Sequence, residues 1–333
     1  MSVTIAPLTK KDLKSDQDVR WCPGCGDYAI LNVAQAALAK LGIPKENFMW
    51  VSGIGCSSRF PYYMDCYGFH TIHGRAPAFA TGIKTANPDL SVWIATGDGD
   101  CFSIGGNHII HLLRRNVDVK VLLFNNEIYG LTKGQYSPTS PVGHKSKSTP
   151  VGSVDRPFNP LSVALGAGAS FVARTMDNDI KHMTTTINQS AAHKGTAFVE
   201  IYQNCVIFND GAFNDVAEKS IRADKTIDLQ PGEPMIYGKD RDKGLRLREF
   251  SVQRCSADEA DIWDPTDTSP ARAFLIAQLD QDPEMPNPIG LIRQVDAPIF
   301  DLEAKKQVTE AIEKKGRGKL KDLIFAGDLW DVE

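Results

Sequence analysis

The chain has 333 residues, 42% of them hydrophobic and 23% charged, with a formal net charge of −4. That length buries a sizeable core in one large domain or two ordinary ones. The charge balance argues against a nucleic-acid partner, and no apolar run approaches the roughly 18 residues of a membrane span.

The segment before Trp21 reads as a polar arm. Its start, MSVTIAPLTKKDLKSD, lacks the apolar centre of a signal peptide, so a cytoplasmic location is expected. WCPGCGDYAI (21–30) then sets Cys22 and Cys25 in a CxxC pattern among Pro and Gly. From Asp27 the apolar spacing of DYAILNVAQAALAKLG predicts a helix that stops at Gly42. NFMWVSG (47–53) reads as a buried strand entering a Gly-rich turn, FHTIHG (69–74) as a second strand, and APAFATGIKTANP as a helix closed by Pro88. SVWIAT (91–96) is a third strand. It feeds GDGDCFSIGGNHIIHLLRRN, a turn and a helix, and VKVLLFNN (119–126) is the next strand. GASFVAR and TAFVEIY are further strands with a helix near 177–192 between them.

Short apolar strands alternating with helices predict an α/β fold, a mainly parallel sheet with helices on both faces. After about Asp224 the texture changes to turn-rich, acidic and proline-containing sequence. The expected division is therefore a domain over 1–230 and an extension over 231–333 that packs on that domain or on a partner subunit. EAKKQVTEAIEKKGRGKLK within the extension reads as a solvated helix and its end.

Gly97-Asp98-Gly99 directly follows one strand, and Asn125-Asn126 ends the next. Both lie at the C-terminal ends of neighbouring parallel strands, the edge where open α/β sheets bind ligands. Glycines let a backbone approach phosphate oxygens, and a following helix aims free N–H groups at an anion. One carboxylate, one amide oxygen and one backbone carbonyl suit Mg²⁺, which shares its shell with a phosphate. GDG alone makes a plain turn, and a pair of Asn makes a loop. The joint pattern of strand, GDG, helix, strand and NN resembles the thiamine-diphosphate-binding motif. The resemblance implies Mg²⁺ held by Asp98, Asn126 and the carbonyl of Ile128, with Gly99, Asp100, Gly130 and Leu131 flanking the diphosphate.

Seven cysteines, at 22, 25, 56, 66, 101, 205 and 255, suit metal ligation or free thiols in a reducing compartment. CxxC by itself is also the pattern of a zinc half-site or a redox pair. The second close pair of a zinc site is absent from the sequence, as is a thioredoxin-like context. Beside a thiamine motif, CPGCG together with GIGCSSRF (54–60) resembles the β subunit of 2-oxoacid:ferredoxin oxidoreductases. HGRAPAFATGIK (73–84) and IYGLTKGQYSPTS (128–140) agree with it, and the likeness spans roughly residues 15 to 240. It implies a thiamine-diphosphate-binding fold and a [4Fe–4S] cluster, which needs four thiolates. Cys22, Cys25 and Cys56 match the first three ligands. Cys205, after a late strand, is the expected fourth, with Cys66 as its rival. Ile54, Gly55, Cys56 and Ser57 would share one turn between cluster and cofactor.

His73 reads as a strand-end histidine, and the resemblance makes it a cofactor contact. Arg59 and Arg75 are weaker candidates for holding substrate or partner, and His108 and His111 are assigned no role. Lys133 resembles the residue of members that accept 2-oxoglutarate, where a cation pairs with the distal carboxylate. The implied reaction is the CoA-dependent oxidative decarboxylation of 2-oxoglutarate to succinyl-CoA and CO2, with electrons passed through the cluster to ferredoxin, or its reverse. The alternatives are the same reaction on pyruvate or a broad range of 2-oxoacids and, more distantly, a non-catalytic iron–sulfur electron-transfer module. The activating Glu of thiamine enzymes has no candidate here. The chain is therefore expected to act only with an α subunit, as an (αβ)2 assembly.

Overall fold

The computed structural model describes residues 7–332. The first six residues of the expected polar arm lie outside it. Eight strands form the main sheet: β1 (Phe48–Ser52), β2 (Tyr67–His70), β3 (Ser91–Gly97), β4 (Val119–Asn125), β5 (Phe171–Met176), β6 (Ala197–Tyr202), β7 (Thr226–Leu229) and β8 (Asn287–Gln294). Their order is 2-1-3-4-6-5-8-7. All neighbours pair parallel except β8 with β5, which are antiparallel.

Alternate side chains of each strand enter opposite faces. Val121 and Leu123 of β4 join one apolar cluster with Ile109, Leu161 and Ile276, while Leu122 and Phe124 join the other with Ile30, Trp50 and Ile187. Helices α1 (Asp27–Leu38) and α6 (Ile180–Ala192) cover the second face. Helices α2 (Ala76–Ala86), α4 (Gly106–Arg115), α5 (Pro160–Gly166) and α7 (Ala271–Ala277) cover the first. GDG is not a loop: Asp98 opens a short helix, α3 (Asp98–Phe102), straight from the end of β3. Among the described residues no helix is long and apolar enough to cross a membrane.

The expected boundary at residue 230 needs correcting. β8 comes from the far end of the chain and lies between β5 and β7 in the main sheet. Its NPIGLIRQ sequence is almost wholly buried. Residues 236–256 form a separate three-stranded antiparallel sheet, and Trp263 is buried with its indole N–H donating to the Leu291 carbonyl at 2.7 Å. Helix α8 (Phe300–Lys315) projects with most of its surface in solvent. Its root is fixed where the buried Asp301 accepts the Asp118 N–H at 3.0 Å.

Candidate active site at the strand ends

β1, β3 and β4 end side by side, and the turns leaving them enclose a cavity of about 270 Å³. Its lining includes Ile54, Gly55, Cys56, Ser57, His73, Asp98, Gly99, Asp100, Asn126, Ile128, Gly130 and Leu131. Asp98 is buried at the start of α3, and its Oδ2 accepts from the hydroxyls of Ser137 and, at 2.6 Å, Thr139. Burial pushes its pKa up, against those two hydrogen bonds. A divalent cation beside the carboxylate reverses that logic. Asn126 is oriented at both ends: its amide donates to Gln203 Oε1 at 2.7 Å, and its Oδ1 accepts the Ile128 N–H at 3.2 Å.

Gly99 is glycine for a steric reason. A Cβ there would lie 2.2 Å from the Tyr129 ring, and the Tyr129 hydroxyl donates to the Gly99 carbonyl at 3.2 Å. Asp100 lines the same cavity, and its side chain also has a structural part. Its carboxylate is committed to the Ile54 and Gly74 N–H groups at 3.0 and 2.7 Å and to the Thr96 hydroxyl at 2.8 Å. It ties the turns after β1 and β2 to α3.

A second cavity, about 250 Å³, adjoins the first through the shared wall of Cys56, Asn126, Gly130 and Leu131. Cys22, Cys25, Cys56 and Cys205 all line it. The CxxC turn is held by Cys25 N–H donating to the Cys22 carbonyl and by the Trp21 indole donating to the Cys56 carbonyl at 2.7 Å. Gly130 lies close to two of the sulfurs: a Cβ there would stand 3.4 Å from Cys205 Sγ and 3.7 Å from Cys56 Sγ. Cys66 is elsewhere, its thiol donating to the Tyr67 carbonyl, while Cys101 is packed in the core and Cys255 lies on the small antiparallel sheet. Burial raises the Cys25 thiol far above its ordinary range and Cys56 to about 12. Thiolates in such a place need a cationic partner. Among the described residues no three His, Cys, Asp or Glu groups close on a single ion. The four thiols surround a space instead of meeting at a point.

Lys133 lies on the loop that follows Ile128. Hydrogen bonds from Lys133 N–H to the Gly130 carbonyl and from Gly134 N–H to the Tyr129 carbonyl close a tight turn, with Lys133 itself at φ 75°. The turn sends the exposed Lys133 side chain to the rim of the cysteine cavity, next to Arg59, and not into the lining of the first cavity.

Two further residues belong to the site, Asp27 and Gln203. Asp27 reads as an ordinary first-turn acid of α1, yet it lines the first cavity fully buried, with neither carboxylate oxygen hydrogen-bonded. Burial, then the nearby Asp177 charge, raises its pKa to about 7. Gln203 donates to Cys25 Sγ at 3.3 Å while accepting from Asn126, so one side chain joins the two cavities. The orphaned Asp27 oxygens and the unpartnered Ser57 hydroxyl offer a polar ligand groups that the chain leaves unsatisfied.

Comparison with known proteins agrees with this geometry. Residues 47–201 match the model of the thiamine pyrophosphate enzyme, C-terminal TPP binding domain. The 2-oxoglutarate oxidoreductase subunit KorB of Mycobacterium tuberculosis is 49% identical over 99% of this chain and 90% of its own length. The β subunit of a Sulfolobus 2-oxoacid:ferredoxin oxidoreductase is 47% identical over 57% of this chain and 63% of its own. The solved structure of 2-oxoglutarate:ferredoxin oxidoreductase from Magnetococcus marinus, with 2-oxoglutarate, coenzyme A and succinyl-CoA bound, matches with a TM-score of 0.74 at 37% identity, covering 96% of this chain and 95% of that one. With the strand-end cavity and its cysteine-lined neighbour, that near full-length likeness places the chain in the β-subunit family of the 2-oxoacid:ferredoxin oxidoreductases.

Proposed function

We propose that this chain, paired with an α subunit, catalyses the CoA-dependent oxidative decarboxylation of 2-oxoglutarate to succinyl-CoA and CO2, passing the electrons to ferredoxin. The observation that carries the proposal is the wall of Cys56, Asn126, Gly130 and Leu131, which belongs to both cavities. Cofactor chemistry and electron exit are separated only by those residues. The relatives named for 2-oxoglutarate support the choice of substrate.

Asp98, Asn126 and the Ile128 carbonyl would hold Mg²⁺, with His73, Gly99, Gly130 and Leu131 around the diphosphate. Cys22, Cys25, Cys56 and Cys205 would hold a [4Fe–4S] cluster. When bound, thiamine diphosphate supplies the electron sink for decarboxylation. This chain's residues would orient the diphosphate, and the buried Asp27 lines the cofactor space with them. Gln203 fixes the metal-side amide and one cluster-side sulfur together.

The purified αβ complex, made anaerobically and assayed with a panel of 2-oxoacids, CoA and a dye acceptor, tests the proposal. Turnover is expected with the complex, assembled as (αβ)2 in the cytoplasm, and none with this chain alone. Turnover by the isolated chain would overturn the half-site reading.

Substrate choice gives a further expectation. Arg59 and Lys133 are cations at the rim of the cysteine cavity, which adjoins the cofactor space at Leu131. From there a flexible lysine can meet the distal carboxylate of 2-oxoglutarate. A hydrogen bond to a charged group contributes roughly 1.5–3 kcal/mol. Lys133→Gly should therefore lower kcat/KM for 2-oxoglutarate by about one to two orders of magnitude and largely spare pyruvate. Equal losses on both acids would assign Lys133 to shaping the loop.

A further inference from the structure

β5 and β6 are apolar central strands, yet each carries one fully buried charge, Arg174 and Glu200. They pair at 2.7 Å. On one side of the pair, Arg174 donates to Asp280 at 2.8 Å and to Asn287 Oδ1 at 2.9 Å, both supplied by the chain beyond residue 230. On the other side, Glu200 Oε1 accepts from the Asn125 amide at 2.7 Å. Asn125 Oδ1 in turn accepts the Glu127 N–H at 3.3 Å and faces the Thr139 hydroxyl that grips Asp98.

Glu127 stands at φ 56°, the left-handed region that a non-glycine residue adopts only when it is held there. The Asn125 side chain holds its N–H, and the Ser140 hydroxyl donates to its carbonyl. This turn carries Asn126 and Ile128. A surface turn needs no buried ion pair behind it. A pair at the sheet centre, anchored from the last third of the chain, gives the turn one fixed shape.

We infer that Glu200, held by Arg174 with Asp280 and Asn287, is a positioning residue that locks the Asn125 amide and so sets the turn presenting Asn126 and the Ile128 carbonyl to Mg²⁺-thiamine diphosphate. The inference rests on the proposed metal site and extends it to residues that never touch the cofactor. It also gives the segment after residue 230 a part in cofactor retention.

Glu200→Gln discriminates well. Glutamine has one acceptor oxygen where glutamate serves both Arg174 Nε and the Asn125 amide, so one link is lost in either orientation. In the αβ complex stripped of metal and cofactor, the Mg²⁺ concentration for half-maximal thiamine diphosphate binding should rise about tenfold or more. Cluster absorption should be unchanged. Asp280→Asn, at the outer end of the chain of contacts and 14% exposed, should raise it about threefold. Asn125→Asp combined with Glu200→Gln re-forms the contact with donor and acceptor exchanged, and should return the requirement to near the wild-type value. Asn125→Asp alone sets two carboxylates face to face and should stay impaired. If Glu200→Gln and Asp280→Asn both keep the wild-type Mg²⁺ requirement, the inference fails. It fails equally if the double variant is no better than Glu200→Gln, or if Asn125→Asp alone binds as well as the double variant. Wild-type complex with no Mg²⁺-dependent binding would instead overturn the metal site itself.

Discussion

Asp98→Ala should abolish retention of thiamine diphosphate while the chain still folds. Asp98 is a carboxylate at the strand end beside the cavity, buried and held by Ser137 and Thr139. Without a cation its burial disfavours the charged form, so removing it relieves a cost in the metal-free protein. With Mg²⁺ present it is the one anionic oxygen ligand in the proposed set, and neither Asn126 nor a carbonyl can replace its charge. Losing an outer-shell partner of a metal typically weakens affinity by about 10–100-fold, and loss of the charged ligand should exceed about a hundredfold. Equilibrium dialysis of thiamine diphosphate with Mg²⁺ against the αβ complex measures this, with circular dichroism reporting the fold. A variant that still binds the cofactor tightly would show that the GDG carboxylate is only a helix-start residue.

Cys205→Ala should remove most of the iron, and Cys66→Ala should not. Cys205 lines the cysteine cavity with Cys22, Cys25 and Cys56, and its Sγ and that of Cys56 both lie near Gly130 on the shared wall. Cys66 sits beside the Tyr67 carbonyl at the sheet edge, outside that cavity. A [4Fe–4S] cluster held by thiolates alone needs all four. Loss of Cys22, Cys25 or Cys56 should therefore have the same consequence, with bleached visible absorption and ferredoxin reduction lost. Iron and sulfide analysis of the anaerobic proteins decides the matter. A full cluster in Cys205→Ala, or a colourless wild type carrying one zinc, would contradict the assignment.

The parts of the site that were legible in sequence are those whose chemistry is local. GDG and NN follow apolar strands directly, and a strand's C-terminal end fixes where its next residues go. For Cys205 the resemblance implies a ligand after a late strand, and the residue follows β6. The direction of the Lys133 side chain is not legible in sequence because its left-handed backbone, at φ 75°, is not a conformation that a lysine announces. Asp27 reads as a helix-start acid because N-terminal carboxylates usually face solvent, and only the tertiary cavity leaves its oxygens without partners. β8 escaped notice because NPIGLIRQ follows acidic, proline-rich sequence, and its neighbours β5 and β7 are far away in the chain. Arg174 and Glu200 did carry a signal. A charge inside an apolar central strand needs a buried partner, but sequence alone does not say which one.

The central claim is that one chain sets the cofactor site and the cluster on either side of a single wall. The most direct measurement is the visible absorption of the anaerobic αβ complex, loaded with thiamine diphosphate and Mg²⁺, on addition of 2-oxoglutarate without external acceptor. The cluster absorption should bleach in the wild-type complex and stay unchanged in Asp98→Ala. Consumption of 2-oxoglutarate with the chromophore untouched would contradict the account.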